Sequence, residues 1–399
     1  MIYVNKQITT REIKFIDRKC FMKFIHIADV HLGAVPDSNM PWAKERQNEI
    51  WDSFKNIITV CNQEKTDLLL IAGDLFHKQP LIRELKEVNY LFSTLETARV
   101  VIMAGNHDYI GARSNYLGYQ WDEKVHMFLK DSYETIDLPD INTRVYGFSY
   151  ITRDITEPKY DNMELPYIIN SHDDSHTFQI NMNSEDNYDF EGHERINILL
   201  AHGGDEKSIP INRKKLLGMG FDYIALGHIH KPEIISKRMA YSGSLEPLDK
   251  NETGQRGYII GEISEDGKRG IDIRFESISH REYKKIIIDS DQEMTNGALT
   301  DMIKEELDKQ GRHHIYQIYI RGFRDEKIHF DLDAIYPLGH IIDVIDESHP
   351  DYDFEALYRE NSDNMIGMFI KQINESSNQG ELNKKALYYG IEALLGARE

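Results

Sequence analysis

Asp29 with His31, Asp74, the run Asn106-His107-Asp108, His202, and the pair His228 and His230 are the side chains here whose types suit metal chemistry. Carboxylate oxygens, a neutral amide carbonyl and imidazoles together suit Mn²⁺, Fe or Zn²⁺ rather than Ca²⁺. No cysteine stands among them, which argues against a structural zinc. Taken singly, each group is weak. Gly73-Asp74 could be a turn, Gly105-Asn106 a hairpin, and Asp29 or Asp74 a helix N-cap. A lone strand histidine is more often a core residue, and His26 reads as one. Repetition carries the argument, because every group follows a short run rich in Ile, Leu and Val: Phe24 to Ala28, Leu68 to Ala72, Val100 to Ala104, Ile196 to Ala201 and Tyr223 to Leu226. Asp29, His31, Asp74, Asn106, His202, His228 and His230 form a set of donors able to grip a pair of cations and activate water against a phosphoester.

Runs of that kind read as buried strands of a sheet covered on both faces, and ligands gather outside the carboxyl ends of such strands. Strand alternation predicts that Asp29 and His31 point to one side, and likewise His228 and His230. Between the first three runs, Ile50, Phe54, Ile57, Ile58 and Cys61 recur at helical spacing, as do Leu81, Leu85, Val88, Phe92 and Leu95. Strand, helix, strand, helix, strand predicts a mostly parallel βαβ sheet.

Residues 1–21 read as an appendage, with Met22 an alternative start. Tyr150 to Glu194 turns polar and reads as hairpins and a surface insertion. Arg213, Lys214 and Lys215 open a short helix, and strands follow at Met239 to Gly243 and Tyr258 to Ile263. A smaller unit begins near Arg281, with strands at Lys284 to Ile288, Ile315 to Ile320 and Ile341 to Ile345, and a helix at Leu299 to Leu307. The tail is helical, with apolar stripes at Met365, Met368, Phe369 and Ile373 and at Leu387, Ile391, Leu394 and Leu395. Those stripes dock on their own domain or on a partner.

The chain's 399 residues allow two or three full cores, and 40% hydrophobic with 29% charged residues is ordinary for a globular protein. No apolar stretch approaches the roughly 20 residues that span a bilayer, and no secretory signal stands at the N-terminus. Cys20 and Cys61 cannot build a disulfide framework, which suits a reducing, cytoplasmic setting. A net charge of −20 conflicts with the basic face expected of a stand-alone nucleic-acid binder. Bound cations invert that field locally, and a basic partner could supply further phosphate contacts.

Taken as a set, Asp29-x-His31, Gly73-Asp74, Gly105-Asn106-His107-Asp108, His202 and Gly227-His228-x-His230 resemble the five signature motifs of the calcineurin-like metallophosphoesterases. Met22 to Gly33, Gly73-Asp74-Leu75-Phe76-His77 and Tyr241 to Asp249 are similar to the nuclease (D) subunit of the SbcCD double-strand-break repair exonuclease. That resemblance implies an α/β fold: a metallophosphoesterase β-sandwich with flanking helices over 22–275, a small α+β capping domain over 281–348, and C-terminal partner-binding helices over 354–399. It also implies two divalent ions, Mn²⁺ first among them. One ion would sit on Asp29, His31, Asp74 and His230, the other on Asp74, Asn106, His202 and His228, with Asp74 bridging. A hydroxide shared by the ions would attack phosphorus in line. His107 would orient the phosphate and protonate the leaving oxygen, Asp108 would set its tautomer, and His77 resembles a further histidine near the substrate. The implied activity is exonuclease on duplex DNA ends and endonuclease on single strands, in a homodimer gated by a coiled-coil ATPase of the SbcC type, with no membrane. A phosphodiesterase or phosphatase acting on another substrate keeps the same metals without the DNA. A tethering subunit would have no use for the full donor set.

Overall fold

The computed structural model describes residues 21–163, 195–264, 270–376 and 380–397. Of the appendage 1–21 only Phe21 is described, as the first residue of a strand. Of the polar stretch 150–194, residues 164–194 lie outside the described residues, and 150–163 are not the expected surface insertion, since Tyr150, Ile155 and Tyr160 are buried in an apolar core. β1 (Phe21–Ile27), α1 (Ala43–Glu64), β2 (Leu68–Ala72), α2 (Ile82–Ser93) and β3 (Arg99–Met103) follow the alternation of short aliphatic runs and helix-period stretches. α1 buries Ile50, Phe54, Ile57, Ile58 and Cys61, and α2 buries Leu85, Val88 and Phe92. Each large apolar side chain removed from water in this way contributes about 1.5–3 kcal/mol. The chain continues through β4 (Val125–Met127), β5 (Glu134–Leu138), β6 (Thr143–Gly147), β7 (Ile196–His202), α3 (Arg213–Leu217), β8 (Tyr223–Gly227), β9 (Glu233–Ser236), β10 (Met239–Tyr241), β11 (Gly257–Ser264) and β12 (Ile271–Ser277).

The five aliphatic runs do not share one sheet, contrary to the simplest reading of the sequence. They divide between two six-stranded sheets, ordered β12-β11-β1-β2-β3-β4 and β5-β6-β7-β8-β10-β9. A strand buried on both faces has the same sequence character whichever sheet hosts it, so periodicity could not separate the two sets. β1 to β4 pair in parallel, as do β6, β7, β8 and β10. β11, β12, β5 and β9 add antiparallel margins. Phe24, Leu70, Val101 and Met103 from the first sheet meet Val145, Ile198, Leu200, Tyr223 and Ala225 from the second in one apolar core. The outer side of the second sheet packs Leu199, Ala201, Ile224 and Leu226 beneath Leu216 of α3 and the aromatic residues Phe148, Tyr150 and Tyr160. The result is an α/β sandwich with helices alongside.

Residues 36–44, 247–255 and 281–399 form a second compact unit. β13 (Tyr283–Ser290), α4 (Asn296–Gln310), β14 (Ile315–Arg324) and β15 (Ile341–Asp346) build a parallel sheet whose Ile286, Ile288, Ile318 and Ile320 pack on Leu299, Ile303 and Leu307 of α4. The hydroxyl of Thr295 caps α4 by accepting from the Ala298 N–H at 3.1 Å. α5 (Phe354–Glu360), α6 (Met365–Asn374) and α7 (Glu381–Gly396) close the described chain. Ile366, Ile370 and Ile391 form their core with Leu387, Leu394 and Leu395 packed against it. Of the stripe expected on α6, Phe369 packs against this core but the two methionines do not. Met365 is 70% and Met368 64% exposed, while Ile366 and Ile370 turn inward. Gly367 lies on the same buried side, where a Cβ would overlap the Asn361 carbonyl oxygen. Among the described residues no helix is long and apolar enough to cross a membrane.

Candidate metal centre

Backbone hydrogen bonds beyond the strands tie the carboxyl end of β1 to that of β2 in one sheet, and the end of β7 to that of β8 in the other. Asp29 N–H donates to the Gly73 carbonyl (3.2 Å), His31 N–H to the Asp74 carbonyl (3.0 Å) and Gly203 N–H to the Gly227 carbonyl (3.1 Å). Strand alternation is not what aims the side chains, because β1 stops at Ile27 and β8 at Gly227, short of the donors. Left-handed backbone does it instead: φ is 50° at Asp29, 53° at His31, 50° at Asp74 and 93° at His228. Such conformations cost on the order of 1–3 kcal/mol each outside glycine and gather where a site requires them. Two glycines of the motifs are explained by close approach. At Gly73 (φ 86°) an added Cβ would overlap the His202 ring, and at Gly227 it would overlap the Ala72 carbonyl.

All seven sequence-predicted donors converge on this edge. His31 Nε2 lies 3.1 Å from His230 Nε2, and Asp29, His31 and His230 offer ligand atoms within 4.8 Å of one another. Asn106 Oδ1 lies 3.0 Å from His202 Nε2 and 3.1 Å from His228 Nδ1. Asp74 Oδ2 stands between the two groups, 3.8 Å from His31 Nε2 and 3.5 Å from His202 Nε2. Its other oxygen accepts from the His107 N–H at 2.8 Å. Both oxygens of Asp29 accept from the His228 N–H at 3.0 Å. Asp29 also groups with Asp74 and His202, so its carboxylate borders both halves of the cluster.

The arrangement fits divalent cations by the chemistry of its donors. His202 Nδ1 donates to the Ala72 carbonyl (2.8 Å), which leaves Nε2 as the nitrogen that faces Asn106 Oδ1 and would ligate a cation. His228 Nε2 donates to Asp205 (2.8 Å), which leaves its Nδ1 lone pair facing the same oxygen. Lone pairs that face one another without a hydrogen between them call for positive charge. The ionisation of the groups agrees. Burial holds His31 well below its ordinary value, and burial followed by the nearby His202 lowers His228, so both stay neutral and able to ligate. Burial would raise Asp74, but His202, His31 and His107 outweigh it and keep the carboxylate ionised. His202 differs: burial lowers it, but Asp74 and Asp29 outweigh burial and raise it to about 9, so in the metal-free chain its Nε2 carries a hydrogen toward Asn106 Oδ1 that a bound cation would displace.

His107 and His77 flank this cluster with their rings stacked 5.3 Å apart, and the His107 ring meets that of His31 edge-on at 4.6 Å. The expected contact between Asp108 and the His107 ring is not formed. Asp108 is buried and accepts from Gly105 N–H (2.8 Å), Phe76 N–H (3.3 Å) and the Tyr116 hydroxyl (2.8 Å). The His77 carbonyl faces His107 Nδ1 at 3.0 Å and sets that tautomer. Burial, then Asp74, raises Asp108 to about 7. Asp108 therefore shapes the loop that carries Asn106 and His107.

Several supporting residues gave no warning in the sequence. Asp205 reaches His228 from three residues beyond His202. The hydroxyls of Tyr150 and Tyr160 donate to the His202 carbonyl at 2.9 and 3.2 Å. Only the Asp that closes His202-Gly203-Gly204-Asp205 could have been suspected beforehand, as a carboxylate just past a candidate ligand. His314 accepts from the Glu282 N–H (3.1 Å), His340 Nδ1 faces the Arg312 carbonyl (3.1 Å), and His349 stacks on Tyr388 (5.0 Å). None of these three belongs to a metal-capable group among the described residues.

A model of the calcineurin-like phosphoesterase family matches residues 22–232, which is more than half of the chain. The chain is 27% identical over 331 residues to an uncharacterized metallophosphoesterase, YhaO, of Bacillus subtilis, covering 76% of this chain and 73% of that one. It is 26% identical over 300 residues to the DNA double-strand break repair protein Mre11 of Halobacterium salinarum, covering 71% of this chain and 66% of that one.

Proposed function

This chain belongs to the calcineurin-like phosphoesterases, a family of hydrolases acting on phosphoesters through bound divalent metals, and from that premise we propose that its substrate is DNA. In this reading it is the nuclease subunit of a break-repair complex, cutting duplex ends as an exonuclease and single strands as an endonuclease. The observation that carries the reading is the convergence of Asp29, His31, Asp74, Asn106, His202, His228 and His230 beside a stacked pair, His77 and His107, whose ring nitrogens lie within 4.8 Å of a His31 ring nitrogen. The likeness to a break-repair protein supports the choice of DNA. The second unit and its helical tail support it further, since hydrolysis of a small phosphoester requires neither.

Asp29, His31, Asp74 and His230 would hold one ion, and Asp74, Asn106, His202 and His228 the other. Bound divalent cations supply water activation and neutralise charge on the phosphoryl oxygens, and Mn²⁺ is the ion we favour, with Fe or Zn²⁺ as alternatives. The chain's own contribution is rigidity. Backbone hydrogen bonds fix Asp29 and Asp74, and the Ala72 carbonyl fixes His202. His107, with Nδ1–H donating to the His77 carbonyl, would use Nε2 to place the phosphate and, in the form that carries a hydrogen on Nε2 as well, protonate the leaving oxygen. His77, stacked on His107, borders the same approach. Asp108 acts through the loop it organises.

The partners in this reading are a second copy of the chain and a coiled-coil ATPase held by residues 354–399, in a cytoplasmic setting. The net charge of −20 favours a different substrate, a non-nucleic phosphodiester or a phosphomonoester. One experiment separates the two readings: metal-dependent cleavage of labelled duplex and single-stranded DNA, with and without the ATPase. Nicking of single strands and shortening of duplex ends that depends on Mn²⁺ is expected. Hydrolysis of nitrophenyl phosphoesters with no DNA cleavage in either condition refutes the nuclease. Removal of residues 354–399 should leave metal binding intact and abolish capture of the ATPase; retained capture refutes that role for the tail.

A further inference from the structure

Asn106 Oδ1 receives two imidazoles, and which nitrogen of each ring carries its hydrogen decides whether a lone pair faces that oxygen. For His202 the main chain decides, through the Ala72 carbonyl 2.8 Å from Nδ1. For His228 a side chain decides, because Asp205 Oδ2 lies 2.8 Å from Nε2. The two oxygens of Asp205 have separate work. Oδ1 accepts from Lys207 N–H (2.8 Å) and Ser208 N–H (2.7 Å), closing the turn that follows β7. Gly203 and Gly204, at φ 142° and 133°, let the chain reverse there, and the Tyr241 hydroxyl donates to the Gly203 carbonyl at 3.0 Å. Oδ2 is left to hold the ring.

We propose that Asp205 is a positioning residue that keeps His228 in the Nε2–H tautomer, so that Nδ1 turns its lone pair toward Asn106 and a bound cation. The inference rests on the two-metal reading of the site. A carboxylate behind a ligating imidazole fixes ring orientation and raises ligand basicity, and its loss typically weakens metal binding about 10–100-fold. Asp205 is a support that mutation can reach, whereas the corresponding partner of His202 is backbone.

Asp205→Asn is the discriminating variant. Its carbonyl oxygen keeps the two backbone N–H groups and so the turn, while its amide NH₂ then faces His228 Nε2, donor against donor. The ring escapes by moving its hydrogen to Nδ1, which presents an N–H where a lone pair is needed. Calorimetric titration with Mn²⁺ should show one of the two ions weakened by roughly 10–100-fold with the melting temperature preserved. Nitrogen-15 NMR of the His228 ring in the unsubstituted, metal-free protein provides a readout that does not depend on the variant folding; hydrogen on Nε2 is expected. Either hydrogen on Nδ1 in that spectrum, or a folded variant binding both ions as tightly as the parent, overturns the proposal. A parent chain that binds no Mn²⁺ at all overturns the two-metal reading beneath it, which is a distinct result.

Discussion

Replacing Asp74 by Asn tests the centre most sharply, because it removes one charge and almost no volume. Asp74 Oδ1 accepts from the His107 N–H at 2.8 Å, and an Asn oxygen can do the same, so the loop carrying Asn106 and His107 should persist. What is lost is the negative charge between the two halves of the cluster, where Oδ2 stands 3.8 Å from His31 Nε2 and 3.5 Å from His202 Nε2. A unit charge at about 4 Å contributes roughly 4 kcal/mol at an effective dielectric near 20. At about 1.4 kcal/mol per tenfold, that is roughly three powers of ten in affinity for each ion that the carboxylate touches, and more for a double charge. Both ions should therefore weaken together, in contrast to the single ion weakened by Asp205→Asn. Calorimetric titration of Mn²⁺ measures stoichiometry and affinity at once, with the far-ultraviolet spectrum as a check on the fold. A folded Asp74→Asn chain that still binds two ions within about tenfold of the parent would refute the shared-carboxylate argument. Loss of one ion with the other untouched would refute it equally, by assigning Asp74 to one half alone.

Three further outcomes are expected. His107→Ala should keep both ions and lower phosphodiester cleavage about 10²–10⁴-fold, the range for a lost proton donor; unimpaired turnover removes His107 from the chemistry. Tyr116→Phe removes one of three donors to buried Asp108 and should cost about 1–3 kcal/mol in denaturant unfolding, with no change meaning that Asp108 does not need that bond. The last concerns pH and lies away from the metals. The half-buried His280 is raised above 6.5 by its hydrogen bond to Glu246, 3.0 Å away. Its contribution is thus complete below pH 6.5 and fades as pH rises through the elevated value in the folded chain. Partial exposure limits the effect to about 1 kcal/mol or less. His280→Gln should flatten the parent's decline in melting temperature above pH 6.5, and identical slopes would contradict the assignment.

Local pattern made much of this protein readable from residue types alone. Short aliphatic runs announced β1, β2, β3, β7 and β8, because strands buried on both faces must be continuously apolar. Helical spacing announced α1, α2 and α4, and the donors stood out because oxygen and nitrogen ligands recur after each run. Tertiary structure decided whatever depends on contacts between distant segments. It divided the five strands between two facing sheets, a choice that periodicity cannot encode. It aimed Asp29, His31, Asp74 and His228 through left-handed backbone rather than strand alternation, and such turns need neighbouring strands to hold their strain. It gave Asp108 to Phe76 and Tyr116 and left the His107 tautomer to a backbone carbonyl, which has no signature in sequence. Asp205 shows the same divide: its charge is visible in the chain, but its work exists only where folding sets it 2.8 Å from His228.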